Sequence, residues 1–248
     1  MTACDLRPVT ITACRLLIPA CLWCLAAVDT VCADGAGIDK IYHPYVQPLE
    51  REVELRATIE DGSNALSEDR QTWRLGYGQS FGENWFGEMY VIAEQNKADS
   101  LAVKKYEIEA LRQLTEQGEF PVDAGVLFAF EKADSDDIME FASTLLLEKE
   151  WGQWAGTANI RAMYEFGDDI SNELEVAAAL QLRYRYRREI EPALEFYSSQ
   201  NILGLGPVLL GDLRLGQGHR LHWEMGVIAG LGKQTPDSSF RLLLEYEF

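Results

Sequence analysis

Glu173-Leu174-Glu175-Val176-Ala177-Ala178-Ala179-Leu180-Gln181-Leu182-Arg183-Tyr184-Arg185-Tyr186-Arg187 is the stretch on which the fold turns. Leu174, Val176, Ala178, Leu180, Leu182, Tyr184 and Tyr186 alternate with Glu173, Glu175, Gln181, Arg183, Arg185 and Arg187. Successive side chains of a strand point to opposite faces, so a strand here has one apolar and one charged face. A helix needs apolar residues three and four apart, and from Leu180 those steps reach Arg183, Tyr184 and Arg187. The alternation also outlasts the roughly five or six residues of a usual globular strand.

The same period runs outward in both directions. Val53, Leu55, Ala57 and Ile59 alternate with Glu52, Glu54, Arg56, Thr58 and Glu60. Extending this reading predicts about twelve strands, at 50–60, 71–79, 84–94, 102–113, 121–131, 138–149, 153–165, 173–187, 191–198, 206–215, 220–231 and 238–248. Longer polar connections at 61–70, 95–101, 132–137, 167–172, 199–205 and 232–237 alternate with short ones at 80–83, 150–152, 188–190 and 216–219. Residues 114–120 break that pattern, being longer than expected. Trp85, Phe86, Trp151, Trp154, Tyr184 and Tyr186 sit where strands meet turns, as interfacial aromatics do. No segment after residue 33 approaches the roughly 18 apolar residues of a membrane-spanning helix.

All five cysteines, at 4, 14, 21, 24 and 32, lie in the first 33 residues. Arg7 and Arg15 precede a mostly apolar run over 16–28, and Val31-Cys32-Ala33 places small residues where a signal peptidase cuts. Residues 1–33 therefore read as a cleavable secretory signal for Sec export. The remaining chain holds no thiol, so disulfides and zinc-thiolate sites are excluded from it. Residues 34–48 read as a periplasmic lead-in because Pro44 and Pro48 interrupt any periodicity, and as a docking point for a periplasmic partner. Residues 49–248 form the body of the fold.

The C-terminus carries a more specific signal. Phe240, Leu242, Leu244, Tyr246 and Phe248 share one face, opposite Arg241, Leu243, Glu245 and Glu247. This segment resembles the last strand of Gram-negative outer-membrane β-barrels, which ends in an aromatic residue. At the level of pattern, the mature chain resembles the small porin-like and transporter-like barrels of proteobacteria. The resemblance implies an all-β, transmembrane, antiparallel up-and-down barrel in the outer membrane. It further implies that those five residues form the signal read by the barrel-assembly machinery.

Sidedness follows from cost. An Arg or Lys facing mid-bilayer costs about 2–4 kcal/mol, so the charged face must line the lumen. The lumen-lining candidates are Glu54, Arg56, Arg74, Glu88, Glu107, Glu109, Asp123, Glu140, Arg161, Glu175, Arg183, Arg185, Asp212, Arg214, Glu224, Arg241 and Glu245. Carboxylates outnumber cations among them, and Arg183, Arg185 and Arg187 form a basic ladder on one strand. Twelve strands fall between filled barrels of about eight and open channels of about sixteen. No connection is long enough for a large plug, so a narrow water-filled or partly occluded lumen is expected.

Catalytic chemistry finds little support. Gly78-Gln79-Ser80-Phe81-Gly82 matches a nucleophile elbow, but a strand pattern follows it where a helix is required. The three histidines, His43, His219 and His222, sit in the lead-in, a turn and an inward position, none suited to a lipid-facing triad. No cofactor or metal is expected, and Ala133-Asp134-Ser135-Asp136-Asp137 reads as a solvated acidic loop. A net charge of −18 excludes nucleic acid and suits lipopolysaccharide met through divalent cations. The leading function is a passive channel for small solutes. The alternatives are a non-conducting structural barrel with a salt-bridged lumen, and a soluble periplasmic β-sandwich or lipocalin-like binder.

Overall fold

In a computed structural model, the residues described are 37–62, 69–96, 99–168, 170–216 and 218–248. The signal-peptide reading of 1–33 lies outside them, as does the start of the lead-in at 34–36. The described chain forms twelve strands: β1 (Arg51–Asp61), β2 (Arg70–Phe81), β3 (Trp85–Asn96), β4 (Ala102–Gln113), β5 (Asp123–Ala133), β6 (Ile138–Trp151), β7 (Trp154–Gly167), β8 (Glu173–Tyr184), β9 (Glu191–Ser198), β10 (Leu203–Gly216), β11 (His219–Gly230) and β12 (Ser238–Glu247). Each pairs antiparallel with its sequence neighbours, and β1 pairs with β12 to close the barrel. An up-and-down barrel leaves no sheet edge, which is what a β-protein in lipid requires. This closure excludes the β-sandwich.

Alternation sets the two faces. In β1, Glu52, Glu54, Arg56 and Glu60 are buried, while Val53, Leu55 and Ile59 are exposed. That is the reverse of a water-soluble strand, and it makes sense if lipid covers the outside. Exposed Leu75, Met89, Ile108, Leu174 and Val227 continue the apolar outer surface.

Both ends of the strand array, the start of β1 and the end of β12, lie at the end with the tighter connections. Gly82 (φ 76°) and Gly152 (φ 64°) supply the left-handed residue in two of these turns, a conformation a side chain would strain. We call this the turn end and its opposite the loop end; in barrels of this type the turn end faces the periplasm. Residues 114–122 are also at the turn end and are internally tied. Gly118 N donates to the Asp123 carboxylate, and Leu114 N and Thr115 N donate to Ala124 O.

Two expected details change. β8 ends at Tyr184, and Arg187 forms only an isolated bridge to Ile190, so Arg183, Arg185 and Arg187 do not make one ladder. Arg185 instead turns to Glu150 at the turn end, where a charged pair reaches water. β10 starts at Leu203, three residues earlier than the glycines suggested.

Candidate functional site

Twelve strands about 4.8 Å apart and tilted about 40° give a backbone radius of about 12 Å. Inward side chains take up about 5 Å, half the spacing of packed sheets, and leave a bore about 7 Å in radius. That is wide enough for one extended peptide, and one occupies it. The expectation that 34–48 hangs in the periplasm is corrected: residues 38–46 run inside the barrel. The chain then reverses at the turn end through Leu49 (φ 66°), which is exposed, and enters β1. The lumen is thus plugged by the lead-in.

The segment meets the wall all round. Arg56 donates to Asp39 Oδ1 at 2.5 Å, and Arg74 Nη2 lies 3.7 Å from Asp39 Oδ2. Lys40 Nζ donates to Glu54 Oε2 at 2.5 Å and lies 3.9 Å from Glu88. The Tyr42 hydroxyl lies 2.9 and 3.0 Å from the two oxygens of Glu109. His43 Nδ1 sits 2.5 Å from Glu148 Oε2, and Tyr45 OH donates to Asp123 Oδ2 at 2.8 Å. On the far wall, Tyr197 OH lies 2.7 Å from Asp39 O, an oxygen that Arg241 also reaches.

The peptide's main chain is served by wall side chains. Asn159 accepts from Tyr42 N and donates to Tyr42 O, both at 2.8 Å. Gln113 accepts from Val46 N at 2.8 Å. Apolar contacts complete the seat. Ile38 and Ile41 pack with Tyr197, Ile202, Val208, Leu210 and Ile228, and Val46 packs with Phe86, Leu111, Leu127 and Leu146. These inward apolar residues would be misplaced in a water-filled bore. Facing a peptide, they are a binding surface.

Burial opposes ionisation of Asp39, but the Arg56 and Arg74 guanidiniums outweigh it and hold the carboxyl well below its usual range. Burial likewise opposes charge on Lys40, and Glu54 and Glu88 more than restore it. Both groups are therefore charged in the docked segment, and each is neutralised by the wall.

Most sequence-predicted lumen residues face inward. Glu54, Arg56, Glu88, Glu107, Glu109, Asp123, Glu175, Glu224 and Arg241 are buried, and Arg74, Glu140, Arg161, Arg183, Asp212 and Glu245 are partly so. Arg214 keeps the inward parity but is exposed near the end of β10, and Arg185 lies beyond β8. The wall is cross-paired: Arg74 with Glu107, Arg161 with Glu140, and Arg241 with Glu195 and Glu224. Sequence reasoning missed Glu195, Tyr197 and Tyr90, all buried and all at alternation-consistent positions. Pro192 weakened the pattern around the first two. At the loop end, a polar cavity of about 110 Å³ remains above the segment, lined by residues including Asp39, Arg56, Glu60, Arg70, Arg74 and Arg161.

The histidines are all engaged elsewhere than on a nucleophile: His43 on Glu148, His219 beside Tyr246, and His222 between Asp212 and Glu224. Ser80 lies within β2, its hydroxyl 3.4 Å from Glu50 O.

No protein-family model matches the chain, and no curated protein matches it. Solved structures do. An outer membrane channel from Pseudomonas putida F1 superposes with a TM-score of 0.56 at 13% identity, over 85% of this chain and 98% of that one. The translocator domain of the autotransporter NalP from Neisseria meningitidis gives 0.54 at 12% identity, over 82% and 89%. The KdgM porin in complex with disordered oligogalacturonate gives 0.50 at 12% identity, over 79% and 99%. At such identities the likeness is one of fold: the chain has the architecture of an outer-membrane β-barrel.

Proposed function

We propose that this barrel is an outer-membrane channel for small polar solutes, closed at rest by its own N-terminal segment. The observation that carries the reading is how residues 38–46 are held. They are bound by wall side chains and add no strand to the sheet, so their release breaks no rung of the ladder. Water can replace each polar wall contact as the segment leaves. The exposed bore would be lined by alternating carboxylates and guanidiniums, a surface for polar rather than apolar solutes. The fold shared with channels supports the reading but does not choose the solute.

Export by the Sec route, and assembly through Phe240, Leu242, Leu244, Tyr246 and Phe248, belong to the same proposal. The first four share the outer face of β12, and Phe248 N donates to Arg51 O across the closing seam at 2.9 Å. Acidic loops meeting lipopolysaccharide through divalent cations would complete its surroundings.

The second reading is a non-conducting structural barrel, favoured by the pairing of Lys40, Arg56, Arg74 and Arg241 with carboxylates. Planar-bilayer recording separates the two. The intact chain should show rare openings, and a variant lacking residues 37–48 should conduct steadily. If the truncated barrel is folded, as shown by heat-modifiable gel mobility, yet silent, the channel reading fails.

A further inference from the structure

The seam that closes the barrel carries a second feature, independent of the channel reading. Glu50, Glu52 and Glu54 lead into and along β1, facing Glu245 and Glu247 of β12, with Glu52 paired to Glu247 and Glu54 to Glu245 in the register. One carboxylate oxygen each from Glu50, Glu52 and Glu247 lies within 4.8 Å of the other two, and the same holds for Glu52, Glu54 and Glu245. Glu52 belongs to both triads.

The compensation along this strip is uneven. At its outer end, Arg220 Nε donates to Glu247 at 2.6 Å and Arg220 Nη2 lies 3.7 Å from Glu50. At its inner end, Glu54 is taken by Arg56 and Lys40 at 2.6 and 2.5 Å. Glu52, between them, is only 4% exposed and makes no hydrogen bond or ion pair with any described residue. Glu245 beside it also lacks both. A buried carboxylate flanked by carboxylates, without a donor, is strongly disfavoured as it stands. Two carboxylates converge on it from either side, Glu50 and Glu247 outward and Glu54 and Glu245 inward, an arrangement that a cation would satisfy.

We propose that Glu52, with Glu50 and Glu247 or with Glu54 and Glu245, binds one divalent cation of the calcium class at the turn-end mouth of the lumen. The spacing suits the ion. Oxygens on opposite sides of a calcium ion, each about 2.3–2.6 Å from it, are about 5 Å apart, so the triads can enclose one with little movement. Hard carboxylate oxygens are the donors such a cation prefers, and a monovalent ion would leave most of the charge uncompensated. Because the ligands come from the first and last strands, the bound ion would clamp the closing seam.

The test is calorimetric titration of the EDTA-washed full chain in detergent, first with CaCl2 and then with MgCl2, beside Glu52→Gln and a loop-end control, Asp136→Asn. Saturable binding of one calcium per chain is expected. It should weaken at least about 10-fold in Glu52→Gln, which removes a charged ligand where loss of even a supporting group costs that much, and be unchanged in Asp136→Asn. Absence of saturable binding in the wild type overturns the proposal, as does binding that Glu52→Gln leaves intact. If Glu52→Gln does not give the heat-modifiable folded form, Glu247→Gln and Glu245→Gln, one from each triad, supply the comparison, and binding that both leave intact overturns the proposal. The readout is ion binding, so a negative result leaves the channel reading standing.

Discussion

Tyr42→Phe isolates one contact of the docked segment. In the wild type, the Tyr42 hydroxyl lies 2.9 and 3.0 Å from the two oxygens of Glu109, which is 2% exposed. No other hydrogen bond to Glu109 is made by a described residue. The substitution removes one oxygen atom, keeps the ring in its seat and leaves a buried carboxylate without its donor. When the segment is undocked, Glu109 faces water in both forms, so the loss falls on the docked state alone. A buried acceptor left without its donor costs about 1–3 kcal/mol, which is about 5- to 150-fold in the docked-to-undocked ratio. Single-channel recording reads that ratio as open probability, which should rise by that factor with unitary conductance unchanged. In a Glu109→Ala background, Tyr42→Phe should add nothing, since the partner is gone. A Tyr42→Phe barrel that is folded and opens no more often than wild type would refute docking as the gate. A change in unitary conductance with constant open probability would refute it too.

Two further outcomes follow from the wall and its pairing. Arg241 is fully buried and bonds Glu195 at 2.9 Å and Glu224 at 2.8 Å, so Arg241→Met strands two buried carboxylates. It should destabilise the barrel by about 3–5 kcal/mol, read as a lower urea midpoint for loss of the fast-migrating gel form; an unchanged midpoint contradicts the pairing. Asp39, held below the usual carboxylate range, stabilises docking at every pH above its undocked value, and that contribution is lost only as pH falls through the lower docked one. Asp39→Asn should therefore raise open probability by the same factor at pH 7.5 and at pH 5, and a factor that shrinks over that range would show that Asp39 has already been protonated.

The wall of the barrel was legible because its signal is local. Period two in residues 173–187 needs only neighbours in the chain to be read, and the other eleven strands follow to within about three residues, inside the usual boundary error. β8 stopped short at Tyr184 because Arg185 finds Glu150 across the turn end, a contact between residues far apart in sequence that alternation does not encode. The occupant of the lumen was illegible for the same reason. Residues 38–46 form no ladder, and Tyr42 reaches partners 67 and 117 positions away. The two prolines and absent periodicity excluded a strand correctly and left the location open.

A trace of the occupant was nevertheless present in the strands. Once the charged face is assigned to the lumen, parity alone sends Phe86 and Ile92 of β3, Leu111 of β4, Leu127 of β5 and Leu146 of β6 inward, and all five are buried. A water-filled bore gives large apolar side chains no reason to be there, since each buried side chain of that size contributes about 1.5–3 kcal/mol only against an apolar partner. Four of the five converge on Val46 in a single cluster. Inward apolar positions on consecutive strands, in a barrel too narrow for a folded plug domain, thus imply an extended peptide as partner. In this chain the lead-in is the stretch with Ile38, Ile41 and Val46 to meet them, tethered directly to β1.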